Sequence, residues 1–304
     1  MTLLDRAVVR LLPAVPKPVV RRLSSRYIAG ERLEDAVATV TRLNAAGKLA
    51  TIDVLGEEIA RTDEAAAIAD EYLDVLDAIE RERLDANVSV KLTGFGLKLG
   101  YDVAKENLAR VVARAAERGV FVRIDMEDSS TTDETLALYR ELRAEGHDGV
   151  GVVLQASLRR TLTDVPGLHD VRVCKGIYVE PPELQLQDAD EVRRSFVASV
   201  EALLDQGSYV AIATHDEWVI ERSRELIGRR RLGPDAYEFQ MLLGVRERLG
   251  DALVTDGHRL RIYVPYGRYW YEYSVRRLQE NPRVAGYVAA DVLGRLVPRR
   301  AARL

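Results

Sequence analysis

Hydrophobic residues between positions 50 and 266 fall into eight short runs, and a longer segment separates each run from the next. The runs are rich in β-branched residues and apolar at nearly every position. This pattern is typical of strands that are buried on both faces of a parallel sheet. The eight predicted strands cover residues 50–55, 88–92, 121–126, 151–156, 171–176, 209–214, 237–242 and 261–266.

The segments between the runs have the period of amphipathic helices. Val192, Phe196, Val200 and Leu203 share one helical face, and Gly207 follows them as a stop signal. The connections after the fourth and seventh strands are shorter, so brief helices are expected there.

Eight alternating strands and helices in about 250 residues predict an α/β fold, a closed (βα)8 barrel of the TIM type. A doubly wound open sheet is the alternative, but no glycine-rich dinucleotide fingerprint follows an early strand. A helical pattern over 33–43 precedes the first strand and is expected to cover the bottom of the barrel. Residues 1–30 are predicted to form a helical extension, and residues 31–304 the barrel domain.

Composition narrows the classes of function. Lys and Arg total 44 against 48 Asp and Glu, a formal net charge of −4, which argues against nucleic acid as a partner. The single cysteine, Cys174, allows no disulfide framework and no cysteine-based metal site, and it favours a reducing cytoplasm. No apolar run reaches the roughly 18 residues needed to span a bilayer.

The first thirty residues alternate basic and aliphatic side chains, among them Arg6, Arg10, Leu11 and Leu12. Such a basic amphipathic pattern predicts peripheral contact with an anionic membrane surface. A solvated helical extension gives the same pattern and is the more common cause of it.

Unusual polar residues gather where the predicted strands end, which is the end of a (βα)8 barrel that carries chemistry. They are Lys91, Asp125, Glu127, Gln155, Arg172, Lys175, Thr214, His215, Glu238, Gln240 and Tyr263. Each also has a purely structural explanation. Lys91 and Asp125 on neighbouring strands could form a buried ion pair, and Glu238 and Gln240 could belong to polar layers inside the barrel.

The stretch 261–281 predicts a strand followed by a helix on which Tyr273, Arg276, Arg277 and Glu280 share one face. Two adjacent guanidinium groups could clamp a carboxylate or a phosphate, or they could form a solvated basic face. Together with Lys91, Arg172 and Lys175 they predict a cationic rim and a ligand with negative groups. No metal-ligand spacing is present, so no metal is expected. No G-x-S-x-G elbow, the signal of a serine nucleophile, is present either. The pattern favours a bound cofactor that supplies the reactive atom.

The sequence motifs at the predicted strand ends resemble those of the proline dehydrogenases, including the matching domain of the bifunctional proline utilisation A proteins. The resemblance covers roughly residues 30–285 and lies in eight motifs that follow the family's order. They are VSVKLTGFG, FVRIDMEDSS, GVVLQA, VRVCKGIYV, IATHD, YEFQMLLG, RIYVPYG and YEYSVRRLQEN. The resemblance implies a distorted (βα)8 barrel whose last helix lies over the carboxyl ends of the strands.

The resemblance also implies roles for individual residues, which lie in three groups. Lys91, Asp125, Arg276 and Arg277 match catalytic positions, and Lys91 and the two arginines would bind the substrate carboxylate. Tyr178, Leu242, Tyr263 and Tyr273 match the lining of the substrate pocket. Asp125, Gln155, Arg172, Lys175, Gly176, Thr214, His215 and Glu280 match positions around FAD, with Arg172 and Lys175 at the pyrophosphate.

The implied reaction is the oxidation of L-proline to Δ1-pyrroline-5-carboxylate, with hydride transfer to N5 of FAD and electron transfer to a quinone. The chain has no room for the aldehyde dehydrogenase or DNA-binding domains of the bifunctional relatives, so a separate pyrroline-5-carboxylate dehydrogenase is the expected downstream partner. Two alternatives stay open. One is a barrel enzyme for a phosphorylated substrate that forms a Schiff base with Lys91 or Lys175, and the other is a binding protein for an anionic metabolite.

Overall fold

Eight parallel strands close into a barrel in chain order, from β1 to β8 and back to β1. The structure is a computed structural model that describes residues 20–21, 26–56, 59–271 and 273–274. The strands are β1 Leu49–Val54, β2 Ala86–Val90, β3 Val122–Ile124, β4 Val150–Gln155, β5 Val171–Cys174, β6 Val210–Ala213, β7 Tyr237–Leu242 and β8 Leu260–Tyr266. The predicted barrel is confirmed, and each predicted strand end lies within two residues of the observed end.

Helices connect the strands on the outside of the barrel. They are α1 Leu33–Ala45, α2 Thr62–Arg81, α3 Tyr101–Arg118, α4 Thr132–Ala144, α5 Thr161–Asp164, α6 Ala189–Asp205, α7 Glu217–Arg230 and α8 Glu247–Thr255. The short connections predicted after the fourth and seventh strands contain the two shortest of these helices, α5 and α8, with 4 and 9 residues. None of the helices in the described ranges is both long and apolar enough to cross a membrane.

The first helix, α1, packs against β8 and β1, so the expectation that it covers the bottom of the barrel is wrong. Its buried residues Ala36 and Val40 join the main hydrophobic core. An apolar stripe on one face of a helix needs a sheet face to cover, and the outer side of β8 and β1 supplies that face. The barrel interior is already filled by side chains from the strands, so an additional helix has no space there.

The two faces of the barrel strands differ sharply in polarity. Residues that face the helices are aliphatic, for example Val88, Val90, Val122 and Ile124, and all four are buried. Residues that alternate with such positions fill the interior, and many are polar or charged. They include Thr51, Asp53, Ser89, Arg123, Arg172, Glu238, Gln240 and Arg261, all buried.

The interior charges near the amino-terminal ends of the strands are held by protein groups. Arg261 Nε lies 2.8 Å from Glu238 Oε1. Arg123 donates from Nη1 to the carbonyl oxygen of Asp170. Burial, followed by repulsion from Arg172, lowers the pKa of Arg123 to about 9. Such partners are required because an isolated buried charge is strongly destabilising.

Candidate active site

The carboxyl ends of the strands surround a cavity of about 380 Å³. Eleven residues predicted from the sequence to bind substrate or cofactor line this cavity. They are Lys91, Asp125, Gln155, Arg172, Lys175, Gly176, Tyr178, Thr214, His215, Leu242 and Tyr263. The predicted residues Arg276, Arg277 and Glu280 lie outside the described residues, so their positions stay predictions.

Lys91 follows β2 and is held by an aspartate of β1. Its Nζ lies 2.6 Å from Oδ1 of Asp53 and donates to the hydroxyl of Tyr263 at 3.2 Å. Asp53 is fully buried. The predicted pairing of Lys91 with Asp125 is therefore wrong, because the ammonium bonds to the strand on its other side. Sequence reasoning missed Asp53, although an aspartate inside the apolar run ATIDVL was a visible signal.

Asp125 follows β3 and accepts three hydrogen bonds, which together use both of its carboxylate oxygens. Oδ1 accepts from Arg172 Nη1 at 2.6 Å and from Ser89 Oγ at 2.7 Å. Oδ2 accepts from the hydroxyl of Tyr263 at 2.9 Å. Arg172 also donates from Nε to Gln240 Oε1 at 2.5 Å. Asp125 and Arg172 thus belong to one buried network inside the barrel mouth.

Tyr263 joins the two ion pairs into a single network. Its hydroxyl accepts from Lys91 and donates to Asp125. Burial, with the negative charges of Asp125 and Asp53, raises the pKa of Tyr263 well above its ordinary value. The phenol therefore keeps its proton and acts as a fixed donor. We name this set, Asp53, Lys91, Tyr263, Asp125 and Arg172, the mouth network.

The charge of the cavity rim is more balanced than the sequence suggested. Among the described residues, each of the predicted rim cations has a carboxylate partner. Lys91 is paired with Asp53, Arg172 with Asp125, and Lys175 with Asp216. The prediction of a strongly cationic rim overlooked Asp53 and Asp216 and did not subtract the charge of Asp125 from that of the basic residues.

A second cluster lies where α7 begins. Asp216 Oδ2 accepts from Lys175 Nζ and from Arg193 Nε, the latter at 2.8 Å. Oδ1 accepts from the backbone N of Trp218 and so caps the helix. Arg193 also donates from Nη1 to Oδ1 of Asp190 at 2.7 Å, so two cations and two carboxylates balance each other in this cluster. Sequence reasoning missed Arg193 and Asp216.

Acid titration of Asp216 gives a testable prediction. Burial raises the pKa of Asp216, but hydrogen bonds from Lys175 and Arg193 outweigh it and lower the value to about 2. In an unfolded chain an aspartate titrates near about 3.9, so the stabilisation is present above that pH and is lost as the pH falls toward 2. We expect Asp216→Asn, which keeps the helix cap, to lower the free energy of unfolding by about 1 kcal/mol at pH 7, discounted for the exposure of both cations.

The measurement for this prediction is urea-induced unfolding of the wild type and Asp216→Asn at a series of pH values. The difference in unfolding free energy between the two proteins should shrink below about pH 4. A difference that stays constant from pH 7 to pH 3 would contradict the assigned pKa shift.

The remaining polar residues of the cavity also make defined contacts. His215 Nε2 accepts from the backbone N of Leu242 at 3.0 Å, and Gln155 Nε2 donates to the carbonyl oxygen of Glu127 at 2.7 Å. Gly176 has φ of +95°, and a Cβ at this position would lie 2.4 Å from Ser157 Oγ. Only glycine lets the backbone after β5 pass this close to the cavity wall.

The predicted pocket residue Tyr273 is buried in a small apolar cluster with Ile28 and Leu55, and Trp270 packs against this cluster. Leu55 of this cluster lies two residues beyond Asp53, a member of the mouth network. The structure therefore brings Tyr273 near the mouth network, although the cavity lining does not include it.

A closed (βα)8 barrel with a cavity at the carboxyl ends of its strands is the architecture of a TIM-barrel enzyme. The family model for proline dehydrogenase matches residues 36–180 and 186–290. The chain belongs to this family.

Individual relatives agree with the family model. Proline dehydrogenase 1 of Bacillus subtilis subsp. natto is 38% identical over 272 residues, which are 88% of this chain and 90% of the relative. A proline dehydrogenase of Deinococcus radiodurans is 37% identical over 279 residues, which are 89% of this chain and 90% of the relative. The crystal structure of proline utilization A from Bdellovibrio bacteriovorus, inactivated by N-propargylglycine, superposes with a TM-score of 0.81 at 24% identity, and covers 90% of this chain but 36% of that one.

Proposed function

We propose that the protein oxidises L-proline to Δ1-pyrroline-5-carboxylate and that its cavity holds FAD. The observation that carries the proposal is the mouth network, which fixes Lys91, Asp125 and Tyr263 around one cavity in a chain of the proline dehydrogenase family. When bound, the flavin would accept the substrate's hydride at its own atom N5 and would then pass the electrons to a quinone. The substrate carbon loses the hydride and its nitrogen a proton, which leaves the C=N bond of the product.

The cavity residues fit a flavin cofactor in three respects. The volume of about 380 Å³ lies within the range of small-molecule sites. Arg172, which lines the cavity, has a buried Nη2 with no hydrogen-bond partner among the described residues, so a ligand oxygen could satisfy it. Lys175, which lines the cavity, has three N–H donors and could donate to a phosphate group as well as to Asp216. Gln155, Thr214 and His215 would complete the cofactor site.

The other part of the cavity suits a small amino acid. Lys91 offers an ammonium that the mouth network holds in place, so it would bind a carboxylate without a large loss of side-chain entropy. Tyr178, Leu242 and Tyr263 provide apolar and aromatic surface for a five-membered ring. We propose that Arg276 and Arg277, on sequence grounds, bind the same carboxylate.

Partners and location follow from the proposed reaction. The product would pass to a separate pyrroline-5-carboxylate dehydrogenase, and the electrons to a quinone. A cytoplasmic location, with peripheral membrane contact through the basic segment 1–30, stays a prediction from the sequence.

The test is an absorption spectrum of the purified protein before and after addition of L-proline without oxygen. We expect flavin bands that bleach with L-proline and return when a soluble quinone is added. L-Alanine, which has the carboxylate and lacks the ring, is the control and should leave the bands unchanged. A protein that stays colourless after incubation with FAD would overturn the proposed cofactor, and flavin bands that L-proline does not bleach would overturn the proposed substrate.

The alternative of a Schiff-base enzyme for a phosphorylated substrate has less support. Both candidate lysines donate to carboxylates, Lys91 to Asp53 and Lys175 to Asp216. An ammonium held in an ion pair is a poor nucleophile because the amine must first lose its proton. Borohydride trapping of a carbonyl substrate on either lysine would restore this alternative.

A further inference from the structure

A short segment before α1 crosses the carboxyl end of the barrel. We name residues 26–31 the strap. Its Ala29 N donates to the carbonyl oxygen of Pro265 at 2.9 Å, and Gly267 N donates to the carbonyl oxygen of Gly30 at 3.1 Å. These two bonds attach the strap to the end of β8, which is the cavity side of the barrel.

The strap also contacts the connection after β7. Gly244 has φ of +70°, and a Cβ at this position would lie 1.9 Å from the carbonyl oxygen of Arg26. This approach is possible only because residue 244 has no side chain. The strap is therefore fixed at both of its ends to connections that follow strands at the carboxyl end of the barrel.

Ile28 is the strap residue that reaches inward. It is only 4% exposed, and it packs with Leu55, which follows β1, and with Tyr273, which follows β8. On the outer side, Arg21 forms an ion pair with Glu31 at 3.3 Å, and its guanidinium lies 6.0 Å from the ring of Trp270. Segments from three distant parts of the chain thus enclose Tyr273.

The position of Tyr273 links this cluster to the cavity. Tyr273 is buried in one cluster with Leu55, which lies two residues beyond Asp53, and the carboxylate of Asp53 accepts from Lys91 in the mouth network. A displaced Tyr273 would loosen the packing of Leu55 and so disturb the end of β1, from which Asp53 holds Lys91. Errors of about 1 Å in such positions can cost up to about 100-fold in rate.

We propose that the strap is a positioning element in which Ile28 holds Tyr273 and Leu55 beside the mouth network, so that the segment before the barrel sets the affinity for the substrate. The kinetic part of this inference rests on the proposed proline oxidation. The structural part does not, because the cluster exists whatever the substrate is.

The kinetic test compares two isoleucines that are equally buried. Ile28→Ala is expected to raise the KM for L-proline roughly tenfold and to change kcat less than about threefold. The substitution would disturb the positions of the residues that bind the substrate and would leave the reacting groups intact. Ile79→Ala is the control. Ile79 is also 4% exposed, but it lies near the end of α2, in the main core. The variant Ile79→Ala should lower the melting temperature and leave the KM for L-proline within about twofold of the wild type. Ile28→Val, which keeps most of the side chain, should restore the wild-type KM.

Leu55→Ala provides a second variant from another part of the chain. It should raise KM as Ile28→Ala does, and the double variant should raise it by less than the product of the two effects, since both act through Tyr273. An unchanged KM in both single variants, or an equal rise in Ile79→Ala, would overturn the inference.

Hydrogen–deuterium exchange tests the structural part without any substrate. A peptide that covers residues 266–274 should exchange at least about fivefold faster in Ile28→Ala than in the wild type, whereas Ile79→Ala should leave it unchanged. Equal exchange in all three proteins would overturn the strap. If Ile28→Ala exchanges faster but the flavin of the wild-type protein is not bleached by L-proline, the role of the strap would stand and the proposed function would be rejected.

Discussion

Replacement of Lys91 by methionine is expected to lower kcat/KM for L-proline by roughly 100- to 1,000-fold, because under the proposed function the largely buried ammonium would pair with the substrate carboxylate. Methionine has a similar length and volume but no charge. Lys91 Nζ is fixed by Asp53 at 2.6 Å and by Tyr263 at 3.2 Å. Under the proposed function, a group held in this way would bind the substrate carboxylate at little entropic cost.

The same substitution should destabilise the fold, so activity and stability must be measured together. Lys91→Met leaves the fully buried Asp53 without its ammonium, which we expect to cost about 3–5 kcal/mol. The double variant Asp53→Asn/Lys91→Met removes the unpaired charge. It should recover much of the lost melting temperature and none of the lost kcat/KM.

Lys48→Met is a matched control. Lys48 has the same side-chain exposure as Lys91, 12%, and it also bonds to an aspartate, Asp251, at 2.5 Å. Asp251 is largely exposed, so the change at Lys48 should cost at most about 1 kcal/mol and leave kcat/KM unchanged. If the double variant at Asp53 and Lys91 regained activity along with stability, Lys91 would have only a structural role.

The strands could be predicted from the sequence because burial on both faces of a barrel strand leaves a continuous apolar run. The partners of the interior charges could not. Ser89 and Val90 align with Arg123 and Ile124, and this register brings the next pair of inward positions, Lys91 and Asp125, side by side as predicted. Each interior side chain nevertheless has neighbours on two strands, and hydrogen-bond satisfaction decides between them.

Asp125 shows how this choice is made. It already accepts from Ser89, Arg172 and Tyr263, and two of these donors come from strands further round the barrel. Lys91 then turns to Asp53 on β1. An alternating pattern indicates which residues face inward, but not which of several inward groups will meet.

The helices show a related limit. The apolar face of α1 was visible in the sequence, but not which surface it covers. Asp216 directly precedes a helical pattern, which is a cap signal that sequence reasoning could have used. Arg193 lies on α6, where the apolar period identifies the buried face and gives no information about a contact with the start of α7.

Replacement of Arg172 by methionine is expected to lower the free energy of unfolding by about 3–5 kcal/mol, the second large effect. Arg172 is 5% exposed and donates to Asp125 at 2.6 Å, to Ser89 at 3.0 Å and to Gln240 at 2.5 Å. Its loss leaves the largely buried Asp125 without its guanidinium partner and removes the donor to Gln240 Oε1. The measurement is urea-induced unfolding.

The control is Arg114→Met, which removes a guanidinium that bonds Asp77 at 2.9 and 2.8 Å on the outer surface, and it should cost about 1 kcal/mol or less. The double variant Arg172→Met/Asp125→Asn should lose less stability than the two single variants added together. It removes the carboxylate of Asp125 along with the guanidinium of Arg172, so neither charge is left behind without the other. Equal losses at Arg172 and Arg114 would contradict the argument. The interior of this barrel is stabilised by ion pairs where most barrels have aliphatic layers, so the residues proposed for the chemistry are also those that hold the strands together.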